Sequence, residues 1–141
     1  AVALSERSGQ PFHLALIDLD HFKRVNDQHG HLAGDLILQR FAALAKESLR
    51  RSDVLARFGG EEFIILFPEG SQADIAEVLN RLRVRFAALP QDDLLPGLRV
   101  TLSAGLAGWR PGDSGDSLTR RADEALYAAK DHGRNQLAIA G

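Results

Sequence analysis

Runs of alternating and helically spaced apolar residues divide the chain into nine segments. Phe12 to Leu19 predicts a strand: Phe12, Leu14 and Leu16 alternate with His13, Ala15 and Ile17, and both rows are largely apolar, as in a sheet covered on both faces. His21 to about His29 predicts a short helix ended by Gly30. Asp35 to Leu49 carries Ile37, Phe41, Leu44, Ala45 and Leu49 at helical spacing. Val54 to Phe58 and Phe63 to Phe67 read as the arms of a hairpin closed by a tight Gly59-Gly60 turn. Ser71 with Asp74 has the spacing of a capping box, opening a helix with the stripe Ile75, Val78, Leu79, Leu82, Phe86 and Leu89, which Pro90 stops. Arg99 to Ala107 alternates as another strand. A Gly/Pro/Asp-rich loop from Arg110 to Gly115 leads to a helix over about Ser117 to Asp131, ended by Gly133. Gln136 to Ile139 reads as a short edge strand. The order β-α-α-β-β-α-β-α-β implies an α/β or α+β sheet covered by helices.

Composition narrows the classes. At 141 residues, 45% hydrophobic and 26% charged, the chain matches one soluble globular domain with a sizeable core. A net charge of −2 argues against a broad nucleic-acid surface but is compatible with a small anionic ligand held by a few placed cations. The absence of cysteine excludes disulfides, thiolate metal sites and a cysteine nucleophile. No apolar run approaches the roughly 18 residues that cross a bilayer, and no signal-peptide pattern stands at Ala1, so a cytoplasmic setting without membrane contact is expected.

Two acidic clusters carry the candidate chemistry. Glu61 and Glu62 follow the glycines of the hairpin, where such acids can also be plain solvated tip residues. Asp18 and Asp20 end the first strand, a usual place for a hard-cation ligand, because Mg²⁺ takes oxygen donors and is shared between one or two carboxylates and substrate phosphates. Asp20 suits the N-cap of the following helix; Asp18 has no such local role. If the first strand and the hairpin are sheet neighbours, Asp18 and Glu61 meet around one or two metals despite the 43 positions between them. That arrangement suits phosphoryl or nucleotidyl transfer.

Four motifs in order then carry a specific resemblance: Asp18-Leu19-Asp20-His21-Phe22-Lys23-Arg24-Val25-Asn26-Asp27; Gly30-His31 with Gly34-Asp35; Arg57-Phe58-Gly59-Gly60-Glu61-Glu62-Phe63; and Arg121-Ala122-Asp123-Glu124-Ala125-Leu126-Tyr127-Ala128-Ala129-Lys130 with Gly133-Arg134-Asn135. Together they span Phe12 to Ile139, and the chain resembles the GGDEF family of diguanylate cyclases in its Gly-Gly-Glu-Glu-Phe form. The resemblance implies a palm-like fold related to the class III nucleotidyl cyclases, with a mostly antiparallel five-stranded sheet. It implies condensation of two GTP molecules into cyclic di-GMP with release of pyrophosphate, in an antiparallel homodimer where each 3′-hydroxyl attacks the α-phosphate of the opposite nucleotide.

Position by position, the resemblance implies that Asp18 and Glu61 ligate two Mg²⁺ (or Mn²⁺) ions per active site, with the Leu19 carbonyl completing the set. Glu61, Glu62 and Lys23 make up the catalytic group, Glu62 being the candidate to polarise the attacking hydroxyl, with a side-chain base and activation at the metal both open. Gly60 allows close approach of the nucleotide. Asn26 and Asp35 would read the guanine edge, an amide pairing with O6 or N3 and a carboxylate accepting from N1 and N2. Phe22 and Lys23 would offer backbone amides to the phosphates at a helix start, and Lys130 and Arg134 would clamp the terminal phosphates. Simpler roles stand beside these. Lys130 and Arg134 complement a helix dipole, Asn26 can end a helix, and Asp35 can begin one. The five histidines have no ligand spacing and read as solvated or capping, and Trp109 reads as a packing anchor.

Arg50-Arg51-Ser52-Asp53 reads as Arg-x-x-Asp five residues ahead of the glycine pair, resembling the family's inhibitory site for its own product. An arginine fork takes phosphate or the guanine Hoogsteen edge, and Asp53 can accept from N1 and N2. Arg81 is the first choice for a further arginine, with Arg83 and Arg85 competing. Family members carry an Asp-x-Leu-Thr-Gly-Leu-x-Asn-Arg-Arg segment and a helix before the first strand, which Ala1 to Gln10 does not contain. Residues 1–141 therefore read as one catalytic domain taken from a longer regulator, with 1–10 a disordered or linker remnant and a sensor or dimerisation domain ahead of it, the regulator being either cytoplasmic or membrane-anchored with this domain on its cytoplasmic side. A non-catalytic cyclic di-GMP receptor using Arg50 and Asp53 is the alternative, and a GTP-sensing module a third reading.

Overall fold

The computed structural model describes residues 12–141; the expectation for residues 1–10 lies outside them. In chain order the elements are β1 (His13–Leu19), α1 (Phe22–His29), α2 (His31–Ser48), β2 (Val54–Arg57), β3 (Glu62–Phe67), α3 (Gln72–Ala88), β4 (Leu102–Gly108), α4 (Gly115–Asp131) and β5 (Leu137–Ile139). The strands form one sheet in the order β2-β3-β1-β4-β5. All pairings are antiparallel except β4 with β5, which run parallel. The expected α+β sheet covered by helices is therefore the observed one, with β1 at its centre.

The two apolar rows of β1 explain both layers. Leu14 and Leu16, with Phe12 just ahead of the strand, meet Leu118, Ala122 and Leu126 of α4 on one face. Ala15, Ile17 and Leu19 join the larger cluster built by α1, α2 and α3 on the other. At the centre of that cluster Phe41 lies 4.7 Å from Phe63 and 5.3 Å, edge-on, from Phe86, geometries that add about 0.5–1.5 kcal/mol each beyond burial. Trp109 stacks on Phe12 at 5.3 Å, as a packing anchor.

Several local readings change in the structure. Helix α2 begins at His31, not Asp35, because its first turn exposes Leu32 and so has no apolar stripe to announce it. Strand β4 begins at Leu102 rather than Arg99, because β1 ends at Leu19, opposite Leu102, and leaves 99–101 without a ladder partner. The Ser71 hydroxyl accepts from the Asp74 amide at 3.1 Å, half of the expected capping box; the full reciprocal box joins Ser114 and Ser117 at the start of α4. The tight Gly-Gly turn is instead the loop Phe58 to Glu61. Neither glycine has a positive φ. The Glu62 carbonyl accepts from the amides of Phe58 and Gly59 at 2.8 and 3.2 Å, and the Arg57 guanidinium donates to the carbonyls of Gly59 and Gly60. His13, expected in solvent or at a cap, is buried on β1, where desolvation lowers its pKa and its Nδ1 has no partner among the described residues.

Gly105 on β4 sets how closely α4 rides on the sheet. A Cβ there would stand 2.2 Å from the Ala122 carbonyl oxygen and 2.3 Å from the Leu126 amide, both backbone atoms. Only a bare glycine lets helix backbone touch strand backbone. Gly105→Ala is therefore expected to lower the urea midpoint by the equivalent of about 1–3 kcal/mol or more, and an unchanged midpoint would show that α4 can slide away without cost.

Candidate functional site

Asp18 ends the row that faces α4. It lies opposite Glu62 on β3 and Ser103 on β4, its side chain is 8% exposed, and the Lys130 ammonium near the end of α4 donates to its Oδ2. A nearly buried carboxylate needs such a partner, since an isolated buried charge is strongly disfavoured. Beside it a cavity of about 150 Å³ is lined by Asp18, Leu19 and Glu61, by Phe22 and Lys23, and by Lys130 and Arg134. The Leu19 amide donates to the Glu61 carbonyl at 3.1 Å, tying the loop to the end of β1. A larger cavity of about 800 Å³ lies at the opposite end of β1, around His13, Trp109 and Arg121. It contains none of the motif acids, so chemistry is assigned to the smaller one.

Helix α1 starts at the cavity. Its N-cap is His21, in a left-handed conformation with φ 57° and no side-chain cap, so its first amides keep capacity for an anion. Asp20 is not the cap. Its buried carboxylate accepts from Thr101 Oγ1 at 2.6 Å, Ser103 Oγ at 2.7 Å and the Asn135 amide at 3.0 Å. No local signal could have revealed this, because all three partners are remote in sequence.

Asn26 on α1 packs against the start of α2 at Gly34, the residue before Asp35, and neither Asn26 nor Asp35 lines the smaller cavity. A Cβ on Gly34 would stand 1.9 Å from Asn26 Oδ1 and 3.0 Å from the Phe22 ring. Asn26 Oδ1 is buried with no hydrogen-bond partner among the described residues, an unused acceptor, and Asp35, which follows Gly34, is exposed. Gly60 contrasts with Gly34. Among the described residues a Cβ on it would meet nothing within 4 Å, and its φ is not positive, so nothing in that part of the chain requires glycine there.

Arg50 and Asp53 form a closed turn, the Arg50 amide donating to Asp53 Oδ2 at 2.8 Å and the Asp53 amide to the Arg50 carbonyl at 3.0 Å. On α3, Arg85 reaches Ser48 Oγ at 3.4 Å, near Arg50, while Arg81 one turn away pairs with Glu77 at 3.2 Å. Arg83 faces elsewhere and donates to the Asn135 carbonyl at 3.1 Å and Oδ1 at 3.0 Å.

The electrostatics are those of crowded acids. Burial first, and the Asp18 charge next, push the Glu62 carboxyl above the usual carboxylate range; Lys130 pulls it back, and Glu61 and Asp123 add to the rise. Among the described residues no three His, Asp or Glu side chains converge enough to hold a metal by themselves. Hard oxygen donors short of a full set fit Mg²⁺, which keeps waters and shares substrate phosphates. Because Glu62 has a folded pKa above its unfolded one, its ionised form opposes folding: the penalty is full above the folded pKa and absent below the ordinary glutamate value. Glu62→Gln is expected to raise the thermal midpoint at pH 7–8 and to leave it unchanged near pH 4. An unchanged or lower midpoint at pH 7 would contradict this.

The diguanylate cyclase GGDEF-domain family model matches residues 1–136. The chain is 44% identical over 99% of its length to diguanylate cyclase DgcP of Pseudomonas aeruginosa, and 38% identical over 90% to response regulator PleD of Caulobacter vibrioides. It spans only 21% and 29% of those proteins. Among solved structures, the GGDEF domain of DgcB from Caulobacter crescentus in complex with c-di-GMP has a TM-score of 0.91 at 35% identity, covering 98% of this chain and 82% of that one. The active GGEEF domain of a diguanylate cyclase from Vibrio cholerae likewise has a TM-score of 0.91 at 34% identity, covering 99% and 89%. With the family model matching most of the chain and these relatives above 30% identical, this chain belongs to the GGDEF-domain diguanylate cyclase family.

Proposed function

We propose that residues 1–141 form one catalytic domain, acting in the cytoplasm, that supplies half of a diguanylate cyclase site, converting two GTP into cyclic di-GMP and two pyrophosphates. The observation that carries this reading is the convergence of Asp18, Glu61, Lys130 and Arg134 on one small cavity beside the uncapped start of α1. Relatives named as diguanylate cyclases support it. In each half-reaction a 3′-oxygen bonds to the α-phosphorus of the opposite GTP, the bond to the pyrophosphate oxygen breaks, and the hydroxyl proton leaves. Glu62 would take it, a role its pKa supports, raised by burial and by the Asp18 charge.

The remaining assignments follow the local chemistry. Asp18, Glu61 and the Leu19 carbonyl would hold two Mg²⁺ or Mn²⁺ ions, which supply positive charge against the phosphates. The first amides of α1 and the Lys23, Lys130 and Arg134 cations hold the triphosphate. Asn26, with its unused Oδ1, and Asp35 read the guanine edge. Gly60, required by no contact among the described residues, leaves clearance for the nucleotide. A cavity of about 150 Å³ is smaller than the roughly 300–1,000 Å³ of complete small-molecule sites, which agrees with a second copy closing it. The Gly-Gly-Glu-Glu-Phe sequence is the active form of the loop in this reading, and Arg50, Asp53 and Arg81 form a product-inhibition site, with Arg85 on the same stripe of α3.

Protein held as a dimer and given GTP with Mg²⁺ is expected to form cyclic di-GMP, resolved by nucleotide chromatography. Glu61→Ala should reduce the rate at least about a hundredfold, given the several kcal/mol that metal charge stabilisation contributes. No product from the parent dimer, with cyclic di-GMP still bound through Arg50, would favour the receptor reading instead. Arg50→Ala should keep turnover and remove inhibition by added product; inhibition at the parent concentration would place that site elsewhere.

A further inference from the structure

We propose that Asp20 is a positioning residue for the triphosphate: its buried carboxylate holds the turn after α4 in a left-handed conformation and so sets where Arg134 points. This rests on the reading of Arg134 as a phosphate clamp. Gly133, Arg134 and Asn135 have φ of 112°, 63° and 47° in succession. Asparagine tolerates that region better than most residues, and arginine has no such excuse. A strained turn of this kind persists only where its surroundings over-determine it.

The surroundings do so from two sides. From beneath, Asp20 Oδ2 accepts from the Asn135 amide at 3.0 Å and from Thr101 Oγ1 at 2.6 Å, while Oδ1 accepts from Ser103 Oγ at 2.7 Å. From outside, Arg83 of α3 donates to both oxygens of Asn135. The Asp20 amide also donates to the Thr101 carbonyl at 2.9 Å, so the end of β1, the approach to β4 and the Arg134 turn share one knot. Asp20 is 5% exposed, and no cation partners it among the described ion pairs. Three donors occupy most of the roughly four acceptor directions of a carboxylate. That marks Asp20 as a structural acceptor rather than a further ligand of the cavity it borders.

The test measures binding without turnover, using 3′-deoxyguanosine triphosphate and guanosine monophosphate with Mg²⁺ and the dimeric protein. Arg134→Ala should weaken the triphosphate about tenfold, the size of one charge-assisted phosphate contact, and leave the monophosphate unchanged. Asp20→Asn, which turns one acceptor oxygen into a donor facing other donors, should reproduce that selective loss. The double variant should bind no worse than Arg134→Ala alone. Parent-like triphosphate binding by Asp20→Asn, an equal loss on both nucleotides, or additive losses in the double variant would overturn the proposal. If Arg134→Ala leaves triphosphate binding intact, the clamp reading itself fails and the proposal falls with it. Should Asp20→Asn not fold, Thr101→Val removes a donor from the same oxygen that holds Asn135. It should give a smaller loss confined to the triphosphate, and parent-like binding by it would equally overturn the proposal.

Discussion

Everything at the candidate site depends on β1 being hydrogen-bonded along both edges and covered on both faces. Such a strand has no freedom of register: a one-residue slip would send Leu14, Leu16 and Asp18 to the wrong layer. Its end therefore delivers two carboxylates to fixed places in a setting where uncompensated charge is not tolerated. The two are stabilised differently. Asp18 has an ammonium partner in Lys130 and stands at the edge of a cavity; Asp20 has three neutral donors and is structural.

The helices serve that arrangement from opposite sides. The close approach of α4 at Gly105 carries Lys130 to Asp18 on one face of the sheet. On the other, α1 brings an uncapped N-terminus to the same cavity, and Gly34 leaves room for the Asn26 side chain against α2. Helix α3 touches both ends of the functional surface, with Arg85 at the end of α2 and Arg83 on the turn that carries Arg134. Rigid backbone contacts thus set cations and anions that no single element could place alone.

Much of this was legible in the chain because it is local. Period-two and helical apolar spacing announced all nine elements in their observed order, and the motifs around Asp18, Gly59 and Lys130 pointed to the acids that line the cavity. The misreadings are equally instructive. Asp20 between a strand and a helix has the local chemistry of an N-cap, yet its partners lie 81, 83 and 115 positions away. The glycine pair looked like a turn requirement, whereas the loop needs neither positive φ nor close internal packing there.

By itself, then, the sequence determined the elements, their order and the stock of site chemistry, since propensity and periodicity act over a few residues. Only the tertiary structure decided which aspartate has its carboxylate taken up by the fold, why Gly105 must be bare, and which arginine of α3 reaches the Arg134 turn. Those outcomes depend on contacts between segments far apart in the chain, whose distances and directions exist only once the sheet has closed around β1.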